Sequence, residues 1–169
     1  IIHIPNVNSG ESTKDKIEEV GLILDSMGEI ANVDSNTGII SLVDRKSGRE
    51  IRVADLVDDS DQIRRSKTLS YLTEVASKNR DAVDVIIALG MAKEGFDWPF
   101  AEHALTVGYR ASLTEVIQII GRVTRDSPGK AHAQFTNLIA QPDAADDQVS
   151  VAVNNMLKAI TASLLMEQV

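Results

Sequence analysis

The sequence predicts an α/β fold with a mainly parallel β-sheet covered by helices on both faces. Short apolar runs alternate along the chain with segments whose apolar residues recur at helical spacing, and this alternation is typical of parallel α/β sheets. The strongest apolar run, residues 83–89, is followed by a loop that contains two glycines and a proline. Such a loop is expected at the carboxyl end of a central strand, where open α/β sheets bind their ligands.

Each element is predicted from its apolar spacing and from the turn or capping residues around it. Strands are predicted at residues 1–5, 29–34, 39–44, 49–57, 83–89, 104–109 and 133–140, and helices at about 12–27, 61–77, 112–125 and 146–165. We expect Ser12 or Thr13 to cap the first helix and Gly28 to end it. Ser112-Leu-Thr-Glu115 is a capping box for the third helix. No internal repeat is evident.

Residues 39–57 predict an inserted β-hairpin around the turn Lys46-Ser-Gly48. Its cations are Arg45, Lys46, Arg49 and Arg52, and they allow two interpretations. They would contact a phosphate backbone if the hairpin binds nucleic acid, or they would only decorate a solvated hairpin with charge. The residues themselves do not decide between these two interpretations.

Composition excludes several classes of protein. The 169 residues suit one domain, because 43% hydrophobic and 25% charged residues are globular values. Cysteine is absent, which excludes a disulfide scaffold and a thiolate metal site and fits a reducing, cytoplasmic location. The histidines His3, His103 and His132 lack ligand spacing, so no metal site is expected. No apolar run is long enough to span a bilayer, so no membrane partner is expected.

The net charge and the start of the chain also limit the possible functions. The net charge of −8 argues weakly against nucleic-acid binding, although the distribution of charge decides phosphate binding more than its total does. The chain starts at Ile1 without a methionine, so we expect it to be a piece of a longer protein. The sequence contains no G-x-x-x-x-G-K-[ST] segment, so these residues do not include a P-loop.

The third predicted helix carries the polar residues Gln118, Arg122 and Arg125 at positions i, i+4 and i+7. On a helix of 3.6 residues per turn, this spacing places the three side chains on one narrow face. Apolar residues occupy most of the other positions and predict a buried side. Because guanidinium groups are always charged and match the geometry of phosphate, the exposed face is expected to bind a polyphosphate or another anion.

Two motifs resemble those of a known family. Glu94-Gly95-Phe96-Asp97-Trp98-Pro99, followed by Gln118-x-x-Gly121-Arg122-x-x-Arg125, resembles motifs V and VI of superfamily 2 helicases and translocases. The resemblance is closest to the branch of restriction-enzyme motor subunits and type III restriction-like DNA helicases, and it covers most of the chain. It implies a RecA-like fold in which residues 1–169 form the second, C-terminal RecA-like domain of a helicase.

The resemblance also implies roles for the residues of the arginine helix. Arg125 would be the arginine finger that reaches the γ-phosphate of ATP, and Arg122 would share that task or anchor the finger. Gln118 would face the γ-phosphate and the attacking water. ATP with Mg²⁺ would be held mainly by an N-terminal RecA-like domain of the same protein, across the cleft between the two domains.

The upstream motif implies further contacts. Asp97 would bind the ribose edge of the nucleotide or pair with an arginine of the last motif, and Gly95 would allow close approach of the backbone. Many relatives have a threonine that contacts nucleic-acid phosphate where this chain has Leu89, so no side-chain contact is expected there. Gly90 and Met91 would instead contact nucleic acid through the backbone.

The function implied by these motifs is that of a C-terminal motor domain in an ATP-dependent DNA helicase or translocase. The enzyme would hydrolyse ATP only as the full-length protein, and the isolated domain would be inactive. The alternative is a non-catalytic α/β module that binds an anionic partner through its arginine helix.

Overall fold

The computed structural model of the chain describes residues 1–5, 15–89, 97–108, 113–138 and 146–166. The strands are β1 (Ile2–Ile4), β2 (Glu29–Val33), β3 (Ile40–Val43), β4 (Glu50–Asp55), β5 (Val85–Leu89), β6 (His103–Val107) and β7 (Gln134–Leu138). The helices are α1 (Lys16–Met27), α2 (Gln62–Tyr71), α3 (Leu113–Thr124) and α4 (Asp146–Met166). A π-helical turn (Leu72–Ala76) continues α2, and a 3₁₀ turn (Arg80–Ala82) precedes β5.

The described strands form one seven-stranded sheet in the order β2-β3-β4-β5-β1-β6-β7. The five strands from β4 to β7 in this order pair in parallel, whereas β2 and β3 pair antiparallel with their neighbours. This mostly parallel sheet with four helices confirms the predicted α/β fold class and is consistent with a RecA-like fold. Within the described part of the chain, no helix combines the length and apolar composition needed to cross a membrane.

Helices cover both faces of the sheet, as the sequence predicts. Neighbouring residues of a strand point to opposite faces, and Ile86 and Ile87 of β5 accordingly belong to two different buried clusters. The cluster of Ile87 includes Val20 and Leu24 of α1. The cluster of Ile86 includes Leu72 and Ala76 after α2, and Ile119 and Val123 of α3. Helix α1 therefore covers one face, while α3 and the extension of α2 cover the other.

Helix ends follow local capping chemistry. Helix α1 begins at Lys16, and the Asp15 carboxylate accepts a hydrogen bond of 3.0 Å from the Glu18 N–H. Asp15 is thus the N-cap in place of the predicted Ser12 or Thr13, which lie outside the described residues. Gly28 ends α1 as predicted. The predicted cap of α3, Ser112, is also outside the described residues.

The predicted hairpin is present as β3 and β4. The turn between its strands has the same pattern as the turn that joins β2 to β3. Strand β4 pairs in parallel with β5, so the hairpin supplies a strand of the main sheet. The turns at residues 34–38 and 44–48, ten positions apart, share the pattern Val-Asp-x-x-Thr/Ser-Gly. In both turns the aspartate N–H donates to the carbonyl of the residue after the glycine at 2.9 Å, and the glycine N–H donates back to the aspartate carbonyl. The two turns therefore share one hydrogen-bonding pattern.

Candidate functional site at the end of helix α3

The apolar residues of helix α3 are buried on two of its sides, and its polar face is left exposed. Ile119 and Val123 are buried in the cluster beneath the sheet. Val116 and Ile120 are buried in a separate cluster with Ala159 of α4. Gln118 is exposed on the remaining side, as expected when one face of a helix packs on a sheet and another packs on a second helix.

Arg125 follows α3 directly and pairs with Asp97. Its Nη1 donates a hydrogen bond to Asp97 Oδ2, and the side chains of Arg125 and Asp97 are 55% and 63% exposed. An ion pair with this exposure contributes only about 0–1 kcal/mol to stability. The Arg125 guanidinium is therefore positioned at the surface by a partner that it can exchange for another anion at little cost.

The backbones of both partners are anchored in the same buried cluster. Trp98, next to Asp97, is only 8% exposed and packs in the cluster that includes Val123, two residues before Arg125. At the helix end, Lys130 Nζ donates to the Arg125 carbonyl at 2.5 Å, which satisfies an acceptor that the helix leaves without an intrahelical donor. The backbone that carries each side of the exposed ion pair is therefore held in place. The sequence gives no signal for the Lys130 contact.

The structure describes only some of the other residues predicted at this site. Arg122 is half-buried on the last turns of α3, one turn before Arg125. Gly90, Met91 and Gly95 lie outside the described residues. The described part of the predicted site is therefore Gln118, Arg122, Arg125 and Asp97, of which the structure directly joins Arg125 with Asp97.

The structure does not bring the hairpin cations to the strand ends where Gly90 and Met91 are predicted to act. The turn of residues 44–48 precedes β4, so it lies at the amino-terminal edge of the parallel strands, whereas Leu89 ends β5 at the carboxyl edge. Arg45 donates to the Asp25 carbonyl at 2.7 Å and also pairs with the Asp25 carboxylate. These bonds raise the pKa of Arg45 above its ordinary value. This arrangement agrees with the interpretation of a solvated hairpin.

Arg49 and Lys46 lie at the same hairpin turn and differ in their partners. Arg49 Nη2 lies 2.7 Å from Asp84 Oδ1, just before β5. Lys46 is exposed on the turn, where its N–H donates to the Asp44 carboxylate at 2.9 Å. Arg45 and Arg49 thus have carboxylate partners, and any nucleic acid at this turn would compete with those carboxylates for the charge of the two arginines.

Carboxylates after β4 form a separate cluster around Arg64. Asp55, the last residue of β4, is buried, and this desolvation raises its pKa although it accepts a hydrogen bond from the Val57 N–H and lies 3.4 Å from Arg64. The pKa of Asp58 is lowered because its carboxylate accepts hydrogen bonds from the hydroxyl and the N–H of Ser60. Arg64 also lies 3.8 Å from Asp58, so the cluster links the end of β4 to the start of α2.

Two histidines approach each other at the amino-terminal edge of the sheet. His103 Nε2 and His132 Nε2 are 3.3 Å apart, which is a hydrogen-bond distance. The sequence does not predict this contact, because it arises from the parallel pairing of β6 with β7. Among the described residues, no group of three or more histidine, cysteine, aspartate or glutamate side chains is arranged to hold a metal ion.

Comparison with known proteins gives one similarity that extends over the whole chain. No family model matches the sequence. Over all 169 residues the chain is 63% identical to a protein of Bacillus subtilis (strain 168) named "Putative ATP-dependent helicase YeeB". The chain spans 28% of the length of that relative. The similarity therefore relates this α/β domain to one segment of a larger protein that is named as a helicase.

Proposed function

We propose that this chain is the C-terminal motor domain of an ATP-dependent helicase or translocase, and that Arg125 is its arginine finger. The observation that supports the proposal is the Arg125–Asp97 ion pair, which is exposed although the nearby residues Trp98 and Val123 are buried. A finger must reach a phosphate that is bound by another domain, so it needs a fixed backbone and a side chain that can change partners. The similarity to a protein named as a helicase supports the same class.

The chemistry of phosphoryl transfer suits the residues of α3. Catalysis of this reaction consists mostly of positioning and of stabilising negative charge on the transferred group, and an arginine supplied from outside the phosphate cradle raises the rate by about 10³–10⁵. In the proposal, Arg125 stabilises this charge, and Arg122 shares the task or anchors the finger. Gln118 orients the attacking water. Asp97 binds the ribose edge of the nucleotide or pairs with an arginine of the last motif, and Gly95 allows close approach of the backbone.

The remaining parts of the motor come from outside this domain. An N-terminal RecA-like domain of the same protein would supply the P-loop and hold Mg²⁺, which would neutralise charge on the phosphates. Because the finger belongs to one domain and the cradle to the other, hydrolysis requires the two domains to close. This requirement couples ATP hydrolysis to movement.

The nucleic acid is proposed to be DNA, and the cell compartment the cytoplasm. The motifs are most similar to those of the superfamily 2 branch that contains restriction-enzyme motor subunits and type III restriction-like DNA helicases. Gly90 and Met91 are proposed to contact the DNA backbone after β5. A second, weaker contact is proposed at the turn that carries Arg45, Lys46 and Arg49.

The proposal is tested by measuring ATP hydrolysis by the full-length protein, with and without single-stranded and double-stranded DNA. The expected result is hydrolysis that DNA stimulates, together with no hydrolysis by residues 1–169 alone at the same concentration. RNA of matched length serves as the control for the type of nucleic acid. Absence of ATP hydrolysis by the full-length protein with either nucleic acid would contradict the proposal and favour a non-catalytic module that binds an anion.

A further inference from the structure

We propose that Arg80 is a positioning residue for Arg125, acting as a brace between the two segments that carry the Arg125–Asp97 pair. The first segment, residues 97–102, contains Asp97, and the second, residues 125–130, contains Arg125. This inference rests on the function proposed above. It adds a residue that lies outside both of the helicase-like motifs.

The geometry of Arg80 matches that of a brace. Its Nη2 lies 2.5 Å from Glu102 Oε1, and its Nη1 donates to the Gly129 carbonyl at 2.9 Å. Glu102 ends the first segment and Gly129 lies in the second. Two guanidinium groups, those of Arg80 and Arg125, therefore connect the same pair of segments. Arg80 uses two separate nitrogens of one planar group, so it fixes both the distance and the orientation of its partners.

The local backbone around Arg80 and Gly129 supports this contact. Gly129 has a φ of +78°, and a Cβ atom at this position would lie 3.1 Å from Arg80 Nη1. Glycine therefore serves both the left-handed backbone and the close approach of the guanidinium. Arg80 itself starts the short 3₁₀ turn, which also contains the buried residue Ala82. The Asn79 side chain caps this turn by accepting a hydrogen bond of 3.0 Å from the Asp81 N–H.

A continuous set of contacts leads from the brace to the finger. Gly129, held by Arg80, is followed by Lys130, whose ammonium group donates to the Arg125 carbonyl at 2.5 Å. The position of the Arg125 backbone is thus linked to Arg80 through one short loop. The Arg80 side chain bonds to Gly129 and Glu102, so it would act on Arg125 through this loop and through Glu102.

The brace is needed when the finger changes partner. If Arg125 leaves Asp97 for a phosphate, the ion pair between the two segments is lost at that moment. The contacts of Arg80 do not involve Asp97 or Arg125 and therefore persist. They would keep the end of α3 in place while the finger is extended, and a misplacement of a catalytic group by about 1 Å can cost about 10²-fold in rate.

The inference is tested by steady-state ATP hydrolysis of the full-length protein carrying Arg80→Ala. We expect kcat to fall by about tenfold while KM for ATP changes by less than about twofold, because the brace positions a group that acts in the transition state. Arg80→Lys should recover only part of kcat, since one ammonium group does not replace a fork that spans two acceptors. The matched control is Lys67→Ala: Lys67 also donates to a distant main-chain carbonyl, that of Ser35 at 2.7 Å. It should keep wild-type kcat.

A double-mutant cycle separates positioning from a general loss of stability. If Arg80 acts through Arg125, the double variant Arg80→Ala/Arg125→Ala should have the same kcat as Arg125→Ala alone. Multiplied effects of the two substitutions would overturn the inference. Glu102→Ala, measured beside these variants, removes one anchor only and should lower kcat by less than Arg80→Ala does. Unfolding midpoints of all variants confirm that folded protein is compared.

The outcomes also distinguish this inference from the proposed function. Wild-type kcat in Arg80→Ala, together with a large loss in Arg125→Ala, would overturn the brace and leave the finger in place. Wild-type kcat in Arg125→Ala would overturn the finger and the brace together. A fall in stability of Arg80→Ala with unchanged kcat would show that Arg80 has only a structural role, which also overturns the inference.

Discussion

The end of α3 and the turn between β3 and β4 both present arginines to solvent, and both pair them with carboxylates. Arg125 pairs with Asp97, whereas Arg45 and Arg49 pair with Asp25 and Asp84. Surface charge alone therefore does not distinguish the two regions. They differ in what holds their backbones, and that difference separates a candidate catalytic group from a group that adjusts surface charge.

The end of α3 is held by contacts between distant parts of the chain. Trp98 and Val123 share one buried cluster, and Arg80 reaches a carbonyl 49 residues away in sequence. The β3–β4 turn, in contrast, is closed by bonds among its own residues, and the same turn occurs ten residues earlier. A group that must be placed accurately needs such support from distant parts of the chain, and Arg125 receives it through Trp98 and through the loop held by Arg80.

The largest expected effect on stability comes from removing that support. Trp98→Ala should lower the free energy of unfolding of the chain by about 3–5 kcal/mol, because it leaves a cavity in the core. Trp98→Phe should cost clearly less, since Trp98 Nε1 is buried without a hydrogen-bond partner among the described residues. Urea unfolding followed by circular dichroism measures both. The control is Leu22→Ala, at a side chain that is 66% exposed. A loss with Trp98→Ala no larger than with this control would refute the buried anchor.

The two related turns offer the next comparison. Gly38 and Gly48 both have positive φ, +73° and +69°, and alanine is strained there by about 1–2 kcal/mol. An added Cβ at Gly38 would also overlap Thr68 Oγ1 and lie 3.0 Å from the Arg64 carbonyl, whereas at Gly48 it would meet nothing within 4 Å. Gly38→Ala should therefore destabilise the chain by about 1–3 kcal/mol more than Gly48→Ala, as measured by urea unfolding. Equal losses would show that the first turn does not pack on α2.

A smaller effect is expected on DNA affinity from the hairpin cations. The triple variant Arg45→Ala/Lys46→Ala/Arg49→Ala of the full-length protein should weaken DNA binding by less than about tenfold near 0.1 M salt, since two of the three charges already have carboxylate partners. Fluorescence anisotropy over a series of salt concentrations measures the affinity and the number of phosphate contacts. A loss of more than about a hundredfold, with a slope reduced by about 3, would instead place the main nucleic-acid contact on this turn.

The smallest expected effect is a dependence of stability on acid. Hydrogen bonds from backbone N–H groups and neighbouring hydroxyls lower the pKa of Asp34 and of Asp44 below the ordinary 3.8. A lowered pKa means that the stabilisation is complete above the ordinary pKa and is lost as pH falls through the lowered one. Asp34→Asn/Asp44→Asn cannot titrate, and each asparagine keeps one carbonyl oxygen that accepts from the backbone N–H groups of its turn. The second oxygen of Asp34, which accepts from the Thr37 hydroxyl, becomes an amide nitrogen. Its stability should fall less than that of wild type between about pH 5 and pH 2, and equal falls would contradict this origin.

The sequence predicts the fold well because the fold follows from local patterns. The apolar runs of the central strands are visible one by one, and Gly28 marks the end of α1. The likeness of the two turns also follows from local sequence, since aspartate and glycine recur at a spacing of ten. The N-cap of α1 was misplaced because Ser12, Thr13 and Asp15 are all good caps, and the sequence does not rank them.

The candidate site is predictable only in part. The face of α3 follows from helical spacing, and the motif resemblance connects it with Asp97. The contacts that support it do not follow from spacing, because Arg80 is 22 residues from Glu102 and 49 from Gly129. Such contacts depend on the order in which strands pair, as the approach of His103 to His132 also does. A single sequence does not specify that order.

The central claim, that Arg125 acts on ATP, is tested most directly by single-turnover hydrolysis of ATP in the full-length protein carrying Arg125→Ala. Nucleotide affinity is measured in the same samples, so that a loss of binding is not mistaken for a loss of chemistry. The rate of hydrolysis should fall by about 10³–10⁵, while Lys67→Ala retains the wild-type rate. Hydrolysis by Arg125→Ala within about tenfold of wild type would contradict the assignment of the finger.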